Sequence, residues 1–279
     1  MRLVVQGAAI RTPHLQHIHQ LCGVSASFMQ VDKHAYYLQV NLIDITDIKN
    51  FCNEESIDCA LVDDKQRLSH FGLCVMDMDS TLINIECIDE IADVAGLKPQ
   101  VAKITESAMR GEIDFSESLN KRVGLLAGLK ESALHRVVDT RLKLNPGAKE
   151  LISALKKYGI KTIVVSGGFT FFADKVQTML GLDYAVSNTL EIIDGELTGR
   201  ILGAIVDGKA KADNLIKLRD KLGLTASQTI AIGDGANDLK MMAVAGVGVA
   251  YHAQPVVRQQ ATYALNFVGL EGVVGLFTT

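Results

Sequence analysis

The sequence predicts an α/β fold with an open, largely parallel sheet, preceded by a small α+β unit at the start of the chain. Three apolar segments of strand length support this prediction, and they begin at Leu73, Gly159 and Thr229. Each ends in polar or glycine residues, after which a helix is expected. Strands that are apolar along their whole length, without polar residues at alternate positions, are typical of parallel sheets covered by helices on both faces.

The first apolar segment ends in two carboxylates. Asp77 and Asp79 follow it directly, and Ser80 and Thr81 come next. Side chains two residues apart on an extended chain point to the same side, so the two carboxylates are expected to face one site. Neighbouring carboxylates repel each other unless a cation or a shared proton relieves them. The pattern predicts a metal ion, a proton-transfer role or both, while the alternative is that residues 79–81 only cap the next helix.

The other two apolar segments end in a comparable way. Ser166 is followed by two glycines, the first of which is Gly167, and glycines let the backbone approach an anion closely. Asp234 stands between two glycines and is followed by Asn237 and Asp238. Ligands bind beyond the carboxyl ends of strands in open α/β sheets, so these residues are expected near the first carboxylate pair. Oxygen ligands of this kind suit Mg²⁺ better than zinc.

A lysine is expected to complete this charge pattern. Lys211 falls where the sequence predicts the start of a helix, and a cation there opposes the helix dipole. A functional use is therefore worth considering, because a compact positive charge can hold a phosphate and balance the carboxylates. Lys209 is a second candidate, and spacing does not decide between the two.

In combination, these motifs resemble those of the haloacid dehalogenase-like superfamily, and within it the phosphoserine phosphatases. The resemblance covers residues 71–279 and rests on D-x-D-S-T from Asp77, S-G-G from Ser166, Lys211, and G-D-G-x-N-D from Gly233. It implies a Rossmann-like core and Mg²⁺-dependent conversion of O-phospho-L-serine to L-serine and phosphate through an aspartyl-phosphate. The alternative is phosphate transfer, or hydrolysis of another small phosphomonoester.

The resemblance also implies roles for individual residues. Asp77 is expected to be the nucleophile, and Asp79 the general acid and then the general base. Mg²⁺ is expected to bind the Asp77 side chain, the Asp79 backbone carbonyl and Asp234, with Asp238 in support. The phosphoryl group and the substrate are expected to contact a further set of residues, namely Ser166, Gly167, Lys211 and Asn237.

An insert over residues 88–144 has apolar residues at helical spacing and predicts a helical cap on a core of residues 71–87 and 145–279. The resemblance implies that Glu86 and Arg122 bind the ammonium and carboxylate of the substrate, since an arginine fork suits a carboxylate. It implies that Met109 and Phe115 line the pocket. Without the resemblance, such charged residues on helices would be interpreted as solvated.

Composition and charge limit the classes of function. A net charge of −4 argues against nucleic acid as a partner, and 48% hydrophobic residues with no tryptophan predict an aliphatic core. Five scattered cysteines lack metal-ligand spacing and suggest free thiols in a reducing cytoplasm. Residues 1–20 do not resemble a signal peptide, and the sequence predicts no membrane span. The expected partner is a small-molecule substrate.

Residues 1–70 are predicted to form a separate unit with the order β-α-β-β-α-β, which is typical of ferredoxin-like modules. The predicted elements are a strand over Leu3–Gln6, a helix over Pro13–Leu21, a hairpin of Ala26–Asp32 and Tyr36–Leu42, a helix over Ile45–Cys52 and a strand over Asp58–Val62. The unit resembles ACT-like domains, which implies regulation or homodimer formation, while an inert extension is the alternative. The charged segment Asp63–Phe71 is expected to be a hinge with few contacts across it.

Overall fold

A computed structural model of the protein describes residues 1–41 and 44–277. The first part of the chain forms a four-stranded antiparallel sheet with the strand order β2-β3-β1-β4, covered by two helices. These elements are β1 (Arg2–Gln6), α1 (Thr12–Cys22), β2 (Met29–Gln30), β3 (Ala35–Gln39), α2 (Thr46–Glu54) and β4 (Asp58–Val62). The predicted order β-α-β-β-α-β is confirmed.

The remaining strands form a seven-stranded sheet with the order β11-β10-β9-β5-β6-β7-β8, parallel except for the antiparallel pair β7 and β8. The strands are β5 (Leu73–Met76), β6 (Lys161–Phe169), β7 (Tyr184–Ile193), β8 (Glu196–Leu202), β9 (Thr229–Gly233), β10 (Val247–Tyr251) and β11 (Tyr263–Leu265). The predicted α/β fold with a parallel sheet is confirmed.

Helices accompany this sheet, and five consecutive ones lie between β5 and β6, of which the first four are in the region predicted to be the cap. Those four are α3 (Cys87–Val94), α4 (Lys98–Met109), α5 (Phe115–Gly124) and α6 (Ser132–Thr140). The others are α7 (Ala148–Lys157), α8 (Thr170–Leu180), α9 (Gly208–Lys221), α10 (Leu239–Val244), α11 (Pro255–Gln260) and α12 (Gly272–Gly275). Buried aliphatic residues of the sheet pack against these helices on both faces, as an all-apolar strand such as β5 requires.

The hairpin of the N-terminal unit differs from the prediction. The expected strand over Ala26–Asp32 is wrong except at Met29 and Gln30, because this strand lies at the sheet edge with both residues exposed. Because the side chains of this edge strand are exposed, extending its pairing with β3 would bury little apolar surface. Strand β3 ends at Gln39, and the predicted end at Leu42 lies outside the described residues.

The N-terminal unit is docked on the large sheet through specific contacts. The carboxylate of Asp58, which is 3% exposed, accepts the backbone N–H groups of residues 266–268 at 2.7, 2.9 and 3.0 Å. The side-chain amide of Gln6 donates to the Gly272 carbonyl at 3.0 Å, and Val62 belongs to the same buried apolar cluster as residues of the large sheet. The expectation of a hinge with few contacts across it is therefore wrong.

A groove of about 630 Å³ lies beside this junction, between α2 and β4 on one side and α11 and β11 on the other. It contains none of the residues predicted to act on a substrate. Its size alone does not make it the site, because the chemistry predicted from the sequence lies elsewhere.

Candidate active site

The site is built around β5, the central strand of the large sheet. β5 pairs with β9 on one side and β6 on the other, so the carboxyl ends of all three strands meet at one edge. A cavity of about 210 Å³ opens there. It brings together nine of the predicted residues, which are Asp77, Asp79, Glu86, Phe115, Arg122, Ser166, Gly167, Asp234 and Asn237.

Lys211 lies beneath this cavity and is completely buried. Its ammonium is 2.8 Å from Asp77 Oδ1 and 2.7 Å from Asp238 Oδ1. Burial alone would lower the pKa of Lys211, but the two carboxylates raise it above its usual value, so the lysine stays charged. Lys209 points outward and pairs with Asp213, which assigns the buried position to Lys211.

Three carboxylates form a cluster with oxygen ligands only. One oxygen from each of Asp77, Asp234 and Asp238 lies within 4.8 Å of the others. Burial, followed by the charge of Asp77, raises the pKa of both Asp234 and Asp238 to about 7. A divalent cation would relieve this repulsion, and the donor set fits a hard ion that prefers oxygen. Thr81 supports the cluster because its hydroxyl donates to Asp234 Oδ1 at 2.9 Å.

Asp79 occupies a different environment from Asp77. Its carboxylate accepts the Cys87 backbone N–H at 3.1 Å, and the Cys87 thiol lies 3.0 Å from its other oxygen. Burial, then the charges of Glu86 and Asp77, raise the pKa of Asp79 well above its usual range. A carboxyl group with a raised pKa holds its proton more readily than an ordinary one, which suits a role in acid–base catalysis.

The S-G-G segment is part of a strand and does not open a helix. Ser166 and Gly167 lie within β6, and α8 begins only at Thr170. Gly168 and Phe169 therefore separate Gly167 from the start of α8. The pairing of β6 with β7 shifts register across this segment, and a β-bulge of this kind re-aims backbone groups. A Cβ on Gly167 would lie 2.9 Å from the Phe115 ring, so a larger residue at this position would have to displace that ring.

Two charged residues of the cap side face the cavity. Glu86 accepts a hydrogen bond from the Ser80 hydroxyl at 2.6 Å, and burial raises its pKa. Arg122 donates through Nε to the Ser118 carbonyl at 3.4 Å, and it forms no ion pair within residues 1–41 and 44–277. Burial lowers the pKa of Arg122, but a guanidinium remains charged in proteins. Glu86 and Arg122 thus add an anion and a cation that, among the described residues, form no ion pair with each other.

Met109 does not line the cavity. It is the last residue of α4, and its side chain is 76% exposed. The prediction that it contributes to the pocket wall is wrong in this structure, because the end of α4 points to solvent while Phe115 at the start of α5 faces the site.

Some residues of the site were not predicted from the sequence. Asn145 donates through its side-chain amide to the carbonyls of Ser80, Thr81 and Ile83 at 3.1, 2.8 and 3.1 Å. These bonds hold the loop after β5, where Ser80 has a positive φ of 56°. Thr81 and Cys87 lie in segments that resemble the family and could have been noticed, whereas nothing near Asn145 in the sequence marks its role.

Comparison with known proteins agrees with this geometry. The family model described as haloacid dehalogenase-like hydrolase matches residues 71–246. The chain belongs to the haloacid dehalogenase-like hydrolases. It is 46% identical over 281 residues to the phosphoserine phosphatase of Haemophilus influenzae, covering 99% of this chain and 88% of that protein.

Two solved structures extend the comparison. The unliganded probable phosphoserine phosphatase of Vibrio cholerae superposes with a TM-score of 0.86 at 40% identity, covering 99% of this chain and 85% of that one. A phospho-aspartyl intermediate analogue of phosphoserine phosphatase superposes with a TM-score of 0.70 at 39% identity, covering 75% of this chain and 99% of that one. The predicted family and the predicted class of enzyme, a phosphatase, are confirmed. Among the described helices, none is both long and apolar enough to cross a membrane.

Proposed function

We propose that this protein hydrolyses O-phospho-L-serine to L-serine and inorganic phosphate in a Mg²⁺-dependent reaction in the cytoplasm. The observation that carries the proposal is one small cavity that combines the Asp77 and Asp79 carboxylates with Glu86 and Arg122, which form no ion pair with each other. The similarity to phosphoserine phosphatases over nearly the whole chain supports the same substrate.

Asp77 is the nucleophile in this proposal. Its Oδ1 is held by the Met78 backbone N–H at 2.7 Å and by Lys211 at 2.8 Å. Its Oδ2 is therefore the oxygen best placed to attack phosphorus. A bond forms between Asp77 and phosphorus while the bond from phosphorus to the serine oxygen breaks, which gives an aspartyl-phosphate. The solved structure of a phospho-aspartyl analogue in a relative supports this step.

Asp79 transfers the protons in both halves of the reaction. With its raised pKa it gives a proton to the departing serine oxygen, and it then takes a proton from the water that attacks the aspartyl-phosphate. That second attack releases phosphate and restores the Asp77 carboxylate. Phosphoryl transfer depends mainly on positioning and charge neutralisation, and Ser166, Gly167 and Lys211 provide these at the phosphoryl oxygens, with Asn237 beside them.

The carboxylate cluster is the proposed Mg²⁺ site. Asp77 and Asp234 would bind the ion through their side chains and Asp79 through its backbone carbonyl. Asp238 would hold Lys211 in place and support the site from behind. A bound Mg²⁺ would neutralise negative charge on the phosphoryl group.

Substrate choice is assigned to the helical insert and the adjoining loop. Arg122 would receive the carboxylate of phosphoserine, and Glu86 its ammonium, while Phe115 closes the cavity against Gly167. In this proposal residues 88–144 form the cap, residues 71–87 and 145–279 the catalytic core, and residues 1–70 an ACT-like unit for regulation or homodimer formation.

The decisive experiment measures phosphate release from O-phosphoserine and from an aryl phosphate, with and without Mg²⁺. Replacing Arg122 by alanine should lower kcat/KM for phosphoserine by about 30- to 150-fold, equivalent to roughly 2–3 kcal/mol for a charged hydrogen bond. The aryl phosphate lacks a carboxylate and should be affected much less. Lys121→Ala is the control, because that neighbouring lysine pairs with Glu117 on the exposed face. Equal losses on both substrates would mean that Arg122 only supports the fold of the cap.

A further inference from the structure

Asn188 joins two segments of the site that are distant in sequence. It lies on β7, and its side chain is 1% exposed. Its amide nitrogen donates to the Gly167 carbonyl at 2.8 Å, and its amide oxygen accepts the Val206 backbone N–H at 2.8 Å. One short side chain therefore connects the S-G-G segment with the loop that leads into α9.

The need for such a connection follows from the irregularity of the sheet. The register of β6 against β7 shifts between Val165 and Phe169, which removes regular ladder partners from the residues in between. A buried carbonyl there needs another donor, and Asn188 supplies it to Gly167. The two backbones are also neighbours, since a Cβ on Gly167 would be in van der Waals contact with the Val206 carbonyl oxygen at 3.5 Å.

The second hydrogen bond of Asn188, from the Val206 N–H, holds the loop that leads into α9, the helix that contains Lys211. Val206 precedes Gly208, where α9 begins, and Lys211 follows within the first turn. A Cβ on Gly208 would lie 2.7 Å from the Asn237 carbonyl oxygen, so the start of α9 has little freedom to shift on that side. Asn188 restrains the same start from the direction of β7.

We propose that Asn188 is a positioning residue for the phosphoryl group: it holds Gly167 and the start of α9 at a fixed separation, so that Ser166, Gly167 and Lys211 converge on one phosphate. This inference rests on the proposed phosphatase function and deepens it. Asn188 does not touch the substrate. It affects binding of the substrate's phosphoryl group and not recognition of the substrate's amino and carboxylate groups.

The test compares Asn188→Asp with Thr162→Val. The aspartate keeps an oxygen for Val206 but replaces the donor to Gly167 with a second acceptor. Thr162 is also buried, and its hydroxyl forms hydrogen bonds with Asp183 at the end of β6 opposite the site. Thr162→Val therefore removes buried hydrogen bonds far from the phosphate and is the matched control. Asn188→Ser, which is too short to bridge the two segments, is the second variant if the aspartate does not fold.

Inorganic phosphate is the probe, and its dissociation constant is measured by calorimetry in the presence of Mg²⁺ together with kcat/KM and melting temperature. We expect phosphate binding to weaken tenfold or more, and kcat/KM to fall by the same factor for phosphoserine and for an aryl phosphate. A weakening no greater than that of Thr162→Val would overturn the proposal and leave Asn188 a stabilising residue only. If the wild type hydrolyses the aryl phosphate but not phosphoserine, the proposed substrate fails while the comparison for Asn188 still stands.

Discussion

The docking of the N-terminal unit leads to a sharp prediction at Asp58. Its carboxylate accepts three backbone N–H groups from residues 266–268 and is almost fully buried. Asp58→Ala removes all three acceptor contacts at once. Hydrogen bonds to a charged group contribute roughly 1.5–3 kcal/mol each, but burial of the carboxylate offsets part of this. Water can also reach residue 266 from the neighbouring groove.

We therefore expect the free energy of unfolding to fall by about 3 kcal/mol, which for a chain of this size lowers the melting temperature by about 6–12 °C. Turnover at 20 °C should stay within about threefold of wild type, because the contacts of Asp58 do not reach the cavity. Urea unfolding followed by two independent probes measures the change and tests for a single transition.

Asp47→Ala is the control for this measurement. Asp47 is an exposed carboxylate in the first turn of α2, and its loss should cost less than about 1 kcal/mol. If Asp58→Ala destabilises the protein no more than this control, the carboxylate does not clamp the two units. Apolar contacts would then hold them together, since Val62 belongs to the same buried apolar cluster as residues of the large sheet.

Three further predictions concern the site and the unit as a whole. Asp77→Asn should fold normally but lose at least about a thousandfold in turnover, since an amide cannot attack phosphorus; activity within tenfold of wild type would exclude the covalent mechanism. Asp234→Asn should raise the melting temperature without metal by removing one crowded charge, and should reduce the stabilisation by Mg²⁺; an unchanged Mg²⁺ response would assign Asp234 another role. A chain starting near Ser69 should keep its Mg²⁺ dependence and its preference for phosphoserine but lose stability. The measurements are kcat per folded active site and the mass in solution. A folded but inactive product would show that the N-terminal unit completes the site.

Much of the fold and of the candidate active site could be predicted from local sequence. Asp77 and Asp234 could be placed because an all-apolar strand fixes where its carboxyl end lies, and parallel strands share that edge. The order of elements in residues 1–70 followed from the alternation of helical and strand periodicity. These predictions depend on residues close together in the chain.

The errors and omissions arise from contacts between distant segments. The partners of Asn145 and Asn188 are set by how strands and loops come together, and no spacing in the sequence encodes them. The register shift in β6, which places Gly167 inside a strand, depends on the facing strand β7. Met109 satisfied the family pattern, yet the direction of the end of α4 decides whether it reaches the cavity.

The arrangement of edge strands has a consequence for solubility. β4 and β11 each pair with a single strand, so each is the edge of its own sheet, and the docked units place these two edges next to each other. Exposed sheet edges invite pairing with other chains. Residues 1–70 therefore shield the β11 edge of the large sheet, and the Tyr263 hydroxyl contacts Gln66 at this junction. A chain shortened to the core would be expected to aggregate more readily at high concentration, even where its chemistry is intact.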